Sequence, residues 1–239
     1  MNRKRLWVTV LALLTIAYIY VPLVAVAVFS FNRSRVSLAW GGFTWEWYSR
    51  LFANQFIHRA AWNSIFLALV STAIATVLGT FAAIGIYRFP WARSSKASMD
   101  MIMHLPVITP EIVLAVALVI VFGTLRALFG LFELGMTTMV IGHVTFQIAF
   151  VTLVVYSRLQ LIGHEVEEAA FDLYASYPRV LTRVLLPLLS PGIVAGAMLA
   201  FTLSLDDFVI SFFTAGARSV TLPLLIYASV RRGVSPEIH

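Results

Sequence analysis

Three carboxylates stand where a carboxylate is costly. Glu111, Asp206 and Asp207 lie in stretches that are otherwise almost wholly apolar. An ionisable group inside a membrane-spanning segment marks a functional position by default, because desolvation opposes keeping it there. Asp206 and Asp207 follow Pro191 by about 16 residues, roughly 24 Å along a helix, which predicts a position in the outer half of a bilayer. Glu111 falls about 12 residues into its apolar segment, near the middle. Pro106 and Pro110 flank the approach and predict a bent or unwound helix. Broken helices near a bilayer midplane line substrate sites. Neighbouring aspartates on a helix point about 100° apart, so one faces a path while the other binds backbone groups or a neighbouring helix. No Lys or Arg shares these spans. Unpaired acids suit a cationic substrate; the alternative is a hydrated or protonated Asp207 at the interface.

Other chemistries fail on spacing. His164-Glu165-x-Glu167-Glu168 puts Glu168 where a zinc-protease helix needs its second His, and no G-x-S-x-G is present. His104 and His143 sit singly on different spans, which is not metal-site spacing, and with Gln147 they read as hydrogen-bonded packing groups. The lysines, Lys4 and Lys96, follow Arg3 and Ser95 rather than a Gly-rich loop, so no Walker A motif can be built. The chain is not read as an enzyme, and no cofactor or metal is expected on it. With no Cys, disulfides and thiolate metal sites drop out.

The elements that carry these groups are membrane spans. Of 239 residues, 60% are hydrophobic and 12% charged, too apolar for a soluble domain of this length. Nearly charge-free stretches predict five spans at about 6–30, 60–87, 99–125, 135–157 and 190–213. The apolar run 219–230 is too short to cross and reads as re-entrant or interfacial. Arg3, Lys4 and Arg5, then Arg88, Arg93 and Lys96, then Arg158, Arg179 and Arg183 predict a cytoplasmic N-terminus and a cytoplasmic loop 158–189. The net charge of +6 is scattered over both faces, which argues against nucleic acid and leaves lipid as the general partner. Between the first two spans Trp40, Trp45 and Trp47 read either as an interfacial belt or as a gate over a substrate path. Gly79, Gly85, Gly192 and Gly196 predict close helix packing.

The loop 158–189 is the most informative segment. As one helix, Val166, Ala169, Ala170, Leu173, Tyr174 and Tyr177 fall on a single apolar stripe. Glu165, Glu167 and Glu168 open it, where the dipole favours carboxylates. An acid-rich face repels anionic lipid, so the stripe reads as a seat for a protein. A channel or passive scaffold leaves this loop unexplained.

Glu168-Ala169-Ala170, followed at the family spacing by Val184, Leu186 and Pro187, resembles the EAA loop of permease subunits of binding-protein-dependent ABC importers. Tyr174 departs from the pattern, standing at the family's Gly. Phe29-Ser30-Phe31-Asn32, Thr109-Pro110-Glu111-Ile112-Val113, Val155-Tyr156-Ser157-Arg158-Leu159, Leu203-Ser204-Leu205-Asp206-Asp207-Phe208 and the tail motif 234–238 resemble the polyamine (spermidine/putrescine) permeases. The resemblance implies an all-α, type I importer bundle in a bacterial inner membrane, moving polyamines, or another organic cation, by alternating access. It implies a related second permease subunit, two ATPase subunits holding ATP and Mg, and a periplasmic solute-binding protein. It assigns Glu168, Ala169, Ala170, Asp172, Tyr174, Leu186 and Pro187 to ATPase coupling, and Glu111, Asp206, Asp207 and Trp47 to the substrate path. Members of that family continue into a sixth span, so a longer full-length protein is expected.

Overall fold

The computed structural model describes residues 3–34 and 39–232; the tail motif 234–238 lies outside the described residues. Among the described residues the secondary structure is helical, with one isolated antiparallel bridge between Asn32 and Phe43. Five helical stretches are long and apolar enough to cross a membrane: Trp7–Phe29, Gln55–Arg88, Glu111–Phe129, Met136–Gln160 and Tyr177–Asp206. The chain divides into two compact units, Met1–Arg59 with Leu225–His239, and Ala60–Leu224.

In the first unit, α1 (Arg3–Phe29) is apolar all round, and its described side chains are exposed over nearly the whole length. Such a helix suits lipid on every side. Beyond it, Asn32 organises a turn. Its Oδ1 accepts from the Gly41 N–H at 2.7 Å and the Ser34 N–H at 3.2 Å, and its Nδ2 donates to the Ala39 carbonyl at 2.8 Å. The short helix α2 (Glu46–Ala53) then packs Trp47 inward.

In the second unit, α3 (Gln55–Arg88), α6 (Met136–Gln160) and α9 (Leu186–Asp206) share an apolar core. Ala83 and Ile84 meet Val151, Val155 and Leu159, with Leu185, Leu189 and Ala200 closing it. Without a hydrophobic driving force between spans, van der Waals fit holds them, and small residues permit it. A Cβ on Gly79 would lie 2.8 Å from Val151, and one on Gly192 would lie 2.6 Å from the Arg158 Cβ. Gly196 also lies against Val151. Gly85 departs from the expectation: nothing lies within 4 Å of its would-be Cβ, and it lines a cavity.

Three elements break where the sequence predicts continuity. The stretch 99–125 is two helices, α4 (Arg93–Ile108) and α5 (Glu111–Phe129). A residue before proline is pushed out of the α region, and Thr109 is extended at φ −74° and ψ 134° ahead of Pro110. Glu111 therefore opens α5 rather than lying near the middle of a span. The last span ends at Asp206 instead of running to 213; Asp207 is extended, and α10 (Val209–Thr214) restarts the helix. At its other end this span reaches back through α8 (Tyr177–Val180) and a π-helical stretch, Leu181–Leu185. Pro187 has no N–H for the Arg183 carbonyl, and the wider π turn accommodates that gap. The final helix, α11 (Leu222–Arg232), is short.

The loop stripe is likewise not one helix. α7 (Glu165–Asp172) stops in a Schellman turn: the Ala175 N–H donates to the Ala170 carbonyl at 3.1 Å, and the Tyr174 N–H to the Phe171 carbonyl at 2.8 Å. Tyr174 occupies the left-handed position of that turn, at φ 60°. Left-handed backbone is the reason glycine suits this place.

Candidate functional site

The helix break collects the acids. Asp207 Oδ1 accepts from the Ile210 N–H at 3.2 Å, and Oδ2 from the Ser211 N–H at 2.8 Å. The carboxylate thus takes the unpaired donors that open α10, competing with helix continuation. Packing of α5 on α10 brings Glu111 to face Asp207, with Asp206 close enough to act on Glu111 electrostatically. Asp206 is exposed, Glu111 half-buried and Asp207 buried. Of the adjacent pair, Asp207 is therefore the one bound to backbone and Asp206 the one left free to face outward.

A buried polar chain stands behind Asp207. His143 Nε2 lies 3.2 Å from Asp207 Oδ2 and 3.1 Å from Ser211 Oγ. A carboxylate only accepts, so Nε2 carries a proton. His143 Nδ1 meets Ser204 Oγ at 2.8 Å, and Ser204 shares a hydrogen bond with Ser71 at 3.1 Å. Gln147 Nε2 donates to Ser71 Oγ at 3.3 Å and to the Ala200 carbonyl at 3.2 Å. One network therefore ties α3, α6, α9 and α10 together at the level of the helix break. The packing role read for His143 and Gln147 missed the contact with Asp207. Its signal was present: His143 and Gln147 are four residues apart, on one face of α6, opposite Ser204. His104 stays outside this chain, with Nδ1 against the Asp100 carbonyl of its own helix. Among the described residues no group of His, Asp and Glu is arranged to hold a metal.

Trp47 belongs to the first unit. It is 5% exposed, and its Nε1 donates to the Asn32 carbonyl at 2.7 Å. Arg50 lies over its ring, 5.1 Å from the centroid, and pairs with Glu46. The ring is thus part of the support under the Asn32 turn, whereas Trp40 and Trp45 are exposed. Trp45 packs with Phe31, Phe43 and Tyr48 in an aromatic cluster.

The loop residues divide between two faces. Val166, Leu173, Tyr174 and Tyr177 are exposed, Leu173 at 82% and Tyr174 at 95%. Glu168, Ala169 and Asp172 are exposed with them, and Ala170 is half-buried. On the opposite side Phe171 and Glu167 turn inward, Glu167 pairing with Arg88 at 2.7 Å. Arg88 was read only as a topological anchor; its pairing depends on a contact between α3 and α7 that spacing does not reveal. Leu186 packs against the core, and Pro187 is exposed.

A lipid-facing helical bundle, broken spans that gather acids and an exposed amphipathic loop define a membrane permease component, not a catalytic chain. Residues 75–229 match the family described as binding-protein-dependent transport system inner membrane component. The chain belongs to that family, and within it to the branch of the polyamine permeases, as its relatives show. It is 38% identical over 223 residues to the spermidine/putrescine transport system permease protein PotC of Haemophilus influenzae, covering 93% of this chain and 84% of that protein. To the putrescine transport system permease protein PotI of Escherichia coli K12 it is 37% identical, covering 98% and 83%. The fold matches a chain of a bacterial ABC transporter that imports the acidic polysaccharide alginate, with TM-score 0.76, 17% identity and coverage of 98% and 88%. It also matches a chain of the MetNI methionine ABC transporter, with TM-score 0.62, 19% identity and coverage of 75% and 82%.

Proposed function

We propose that this chain is a transmembrane subunit of an ATP-driven importer of polyamines, working by alternating access with its N-terminus in the cytoplasm. The observation that carries the substrate reading is the gathering of Glu111, Asp206 and Asp207 where α9 breaks before α10. A dry or narrow path lined by carboxylates favours a cation, and several carboxylates favour a polycation. The names of the relatives point to the same substrate class. Trp47 acts on the path through the Asn32 turn that it supports, and the exposed Trp45 is the better candidate for direct contact.

The exposed side of α7 and the turn after it supply a seat for an ATPase subunit. Leu173, Tyr174 and Tyr177 offer apolar area beside the Glu168 and Asp172 carboxylates. ATP and Mg act on that subunit, one of two. The remaining partners are a second, related permease and a periplasmic solute-binding protein.

The test is uptake by the assembled complex in proteoliposomes, using labelled putrescine and spermidine against neutral and anionic competitors. Competition by polyamines alone is the expected result. Replacing Glu111, Asp206 and Asp207 by their amides should abolish uptake while the complex still copurifies; undiminished polyamine uptake by that variant overturns the reading. Competition by other organic cations at equal potency would move the substrate to a broader cationic class.

A further inference from the structure

Arg88 ends α3 and reaches the coupling segment at three points. Its Nε lies 2.7 Å from Glu167 Oε1. One Nη donates to the Ile162 carbonyl at 2.8 Å, and the other lies 3.2 Å from His164 Nε2. Side-chain exposure is 10% for Arg88 and 17% for Glu167, so the pair is shielded from solvent. The neighbouring Tyr87 stacks on Tyr156 of α6 with ring centroids 3.4 Å apart, which fixes the end of α3 to α6.

Apolar packing between α7 and α3 is sparse. A cavity of about 560 Å³ lies between them, lined by Phe81, Ile84, Gly85, Phe171 and Pro178, with Arg88 and Glu167 at its wall. Gly85 leaves the space open, since a Cβ there would meet nothing. The packing partners of α7 are its chain neighbours, α8 and the π-helical stretch. A displacement of α7 therefore has two routes into the bundle. One runs along the chain through α8 and the π turn into α9. The other crosses the cavity through the Arg88 side chain into α3.

We propose that Arg88, held by Glu167, is a coupling residue: it transmits movement of α7 into α3. This rests on the reading of the loop as an ATPase seat. A charged, forked side chain with three partners is suited to the task, because its geometry is fixed by directional bonds rather than by loose contact. An acid one position away, Glu168, points to the exposed side, so the two glutamates divide the work: Glu168 outward to the partner and Glu167 inward to the bundle.

The experiment measures uptake and binding-protein-stimulated ATP hydrolysis together, in proteoliposomes holding the whole complex. Arg88→Met and Glu167→Gln should each lower uptake per ATP hydrolysed by about tenfold while hydrolysis continues. The double variant should be no worse than either single one, because both remove the same strut. Unchanged uptake per ATP, or losses that multiply in the double variant, overturn the proposal. If Arg88→Met does not assemble, Glu167→Gln, near-isosteric and changed only in charge, decides by the same ratio. Leu173→Asp separates this from the underlying reading. Should that variant still retain its ATPase subunits on copurification, the loop is not the seat and the proposal falls with it. Should it lose them while Arg88→Met stays fully coupled, the strut alone is wrong.

Discussion

His143 Nε2 and Asp207 Oδ2 lie 3.2 Å apart between side chains that are 1% and 3% exposed, and this contact joins α6 to the place where α9 gives way to α10. Asp207 also holds the first free N–H groups of α10. The carboxylate is thus fully engaged on the protein side, and its conformation is determined by His143 and backbone together.

Replacing His143 by Phe keeps volume and removes both ring nitrogens. The change leaves a buried carboxylate and Ser204 short of partners, and should cost about 3 kcal/mol of stability. Thermal unfolding of the purified protein in detergent checks it. His143→Gln, which can still donate to one of those partners, should recover part of the loss.

Asp206 and Asp207 should behave differently despite being adjacent. Asp206→Asn alters an exposed side chain, so stability should hold while KM for polyamine rises by about tenfold, the value of one charge-assisted contact. Asp207→Asn presents an amide NH2 to groups that are all donors, and should lower stability along with uptake. Equal stability of the two variants would contradict the separation.

Tyr174→Gly should stabilise the protein by about 1 kcal/mol. The backbone there is left-handed at φ 60°, which costs a residue with a Cβ about that much, and the 95%-exposed ring gives up no packing within this chain. The same melting measurement applies. Loss of stability would show that the ring supplies more than the backbone strain takes away.

Glu168→Lys reverses an exposed charge in the first turn of α7. Helix stability should fall by about 0.5 kcal/mol through the dipole. The larger effect should be on function: stimulated hydrolysis should no longer respond to substrate. Normal stimulated hydrolysis in this variant would remove Glu168 from the coupling surface.

Two glycines give an internal control. Gly192→Leu drives a side chain into Arg158, 2.6 Å from its would-be Cβ, and should separate α9 from α6 with loss of assembly. Gly85→Ala meets open space and should leave assembly intact. Copurification of the subunits distinguishes them.

The sequence alone determined the class of the protein. Charge-free runs of about 20 residues have one stable setting, a bilayer, because water would not tolerate that apolar surface and lipid would not tolerate unpaired backbone. The EAA spacing and the acids at 111, 206 and 207 were equally legible, being matters of residue type and interval. Tyr174 was visible as a departure, though not why a glycine belongs there; that needed the Schellman turn. What only the tertiary structure decided is where helices stop and which neighbours meet. Glu111 became the first residue of α5 because Pro110 expels Thr109 from the helix. Asp207 turned to the backbone because the chain breaks there, and His143 and Ser204 met it from two other helices. Arg88 found Glu167 across a cavity. Local pattern encodes the period of a helix, whereas a side chain's partner on another helix depends on packing between segments far apart in sequence, and no single stretch carries that information.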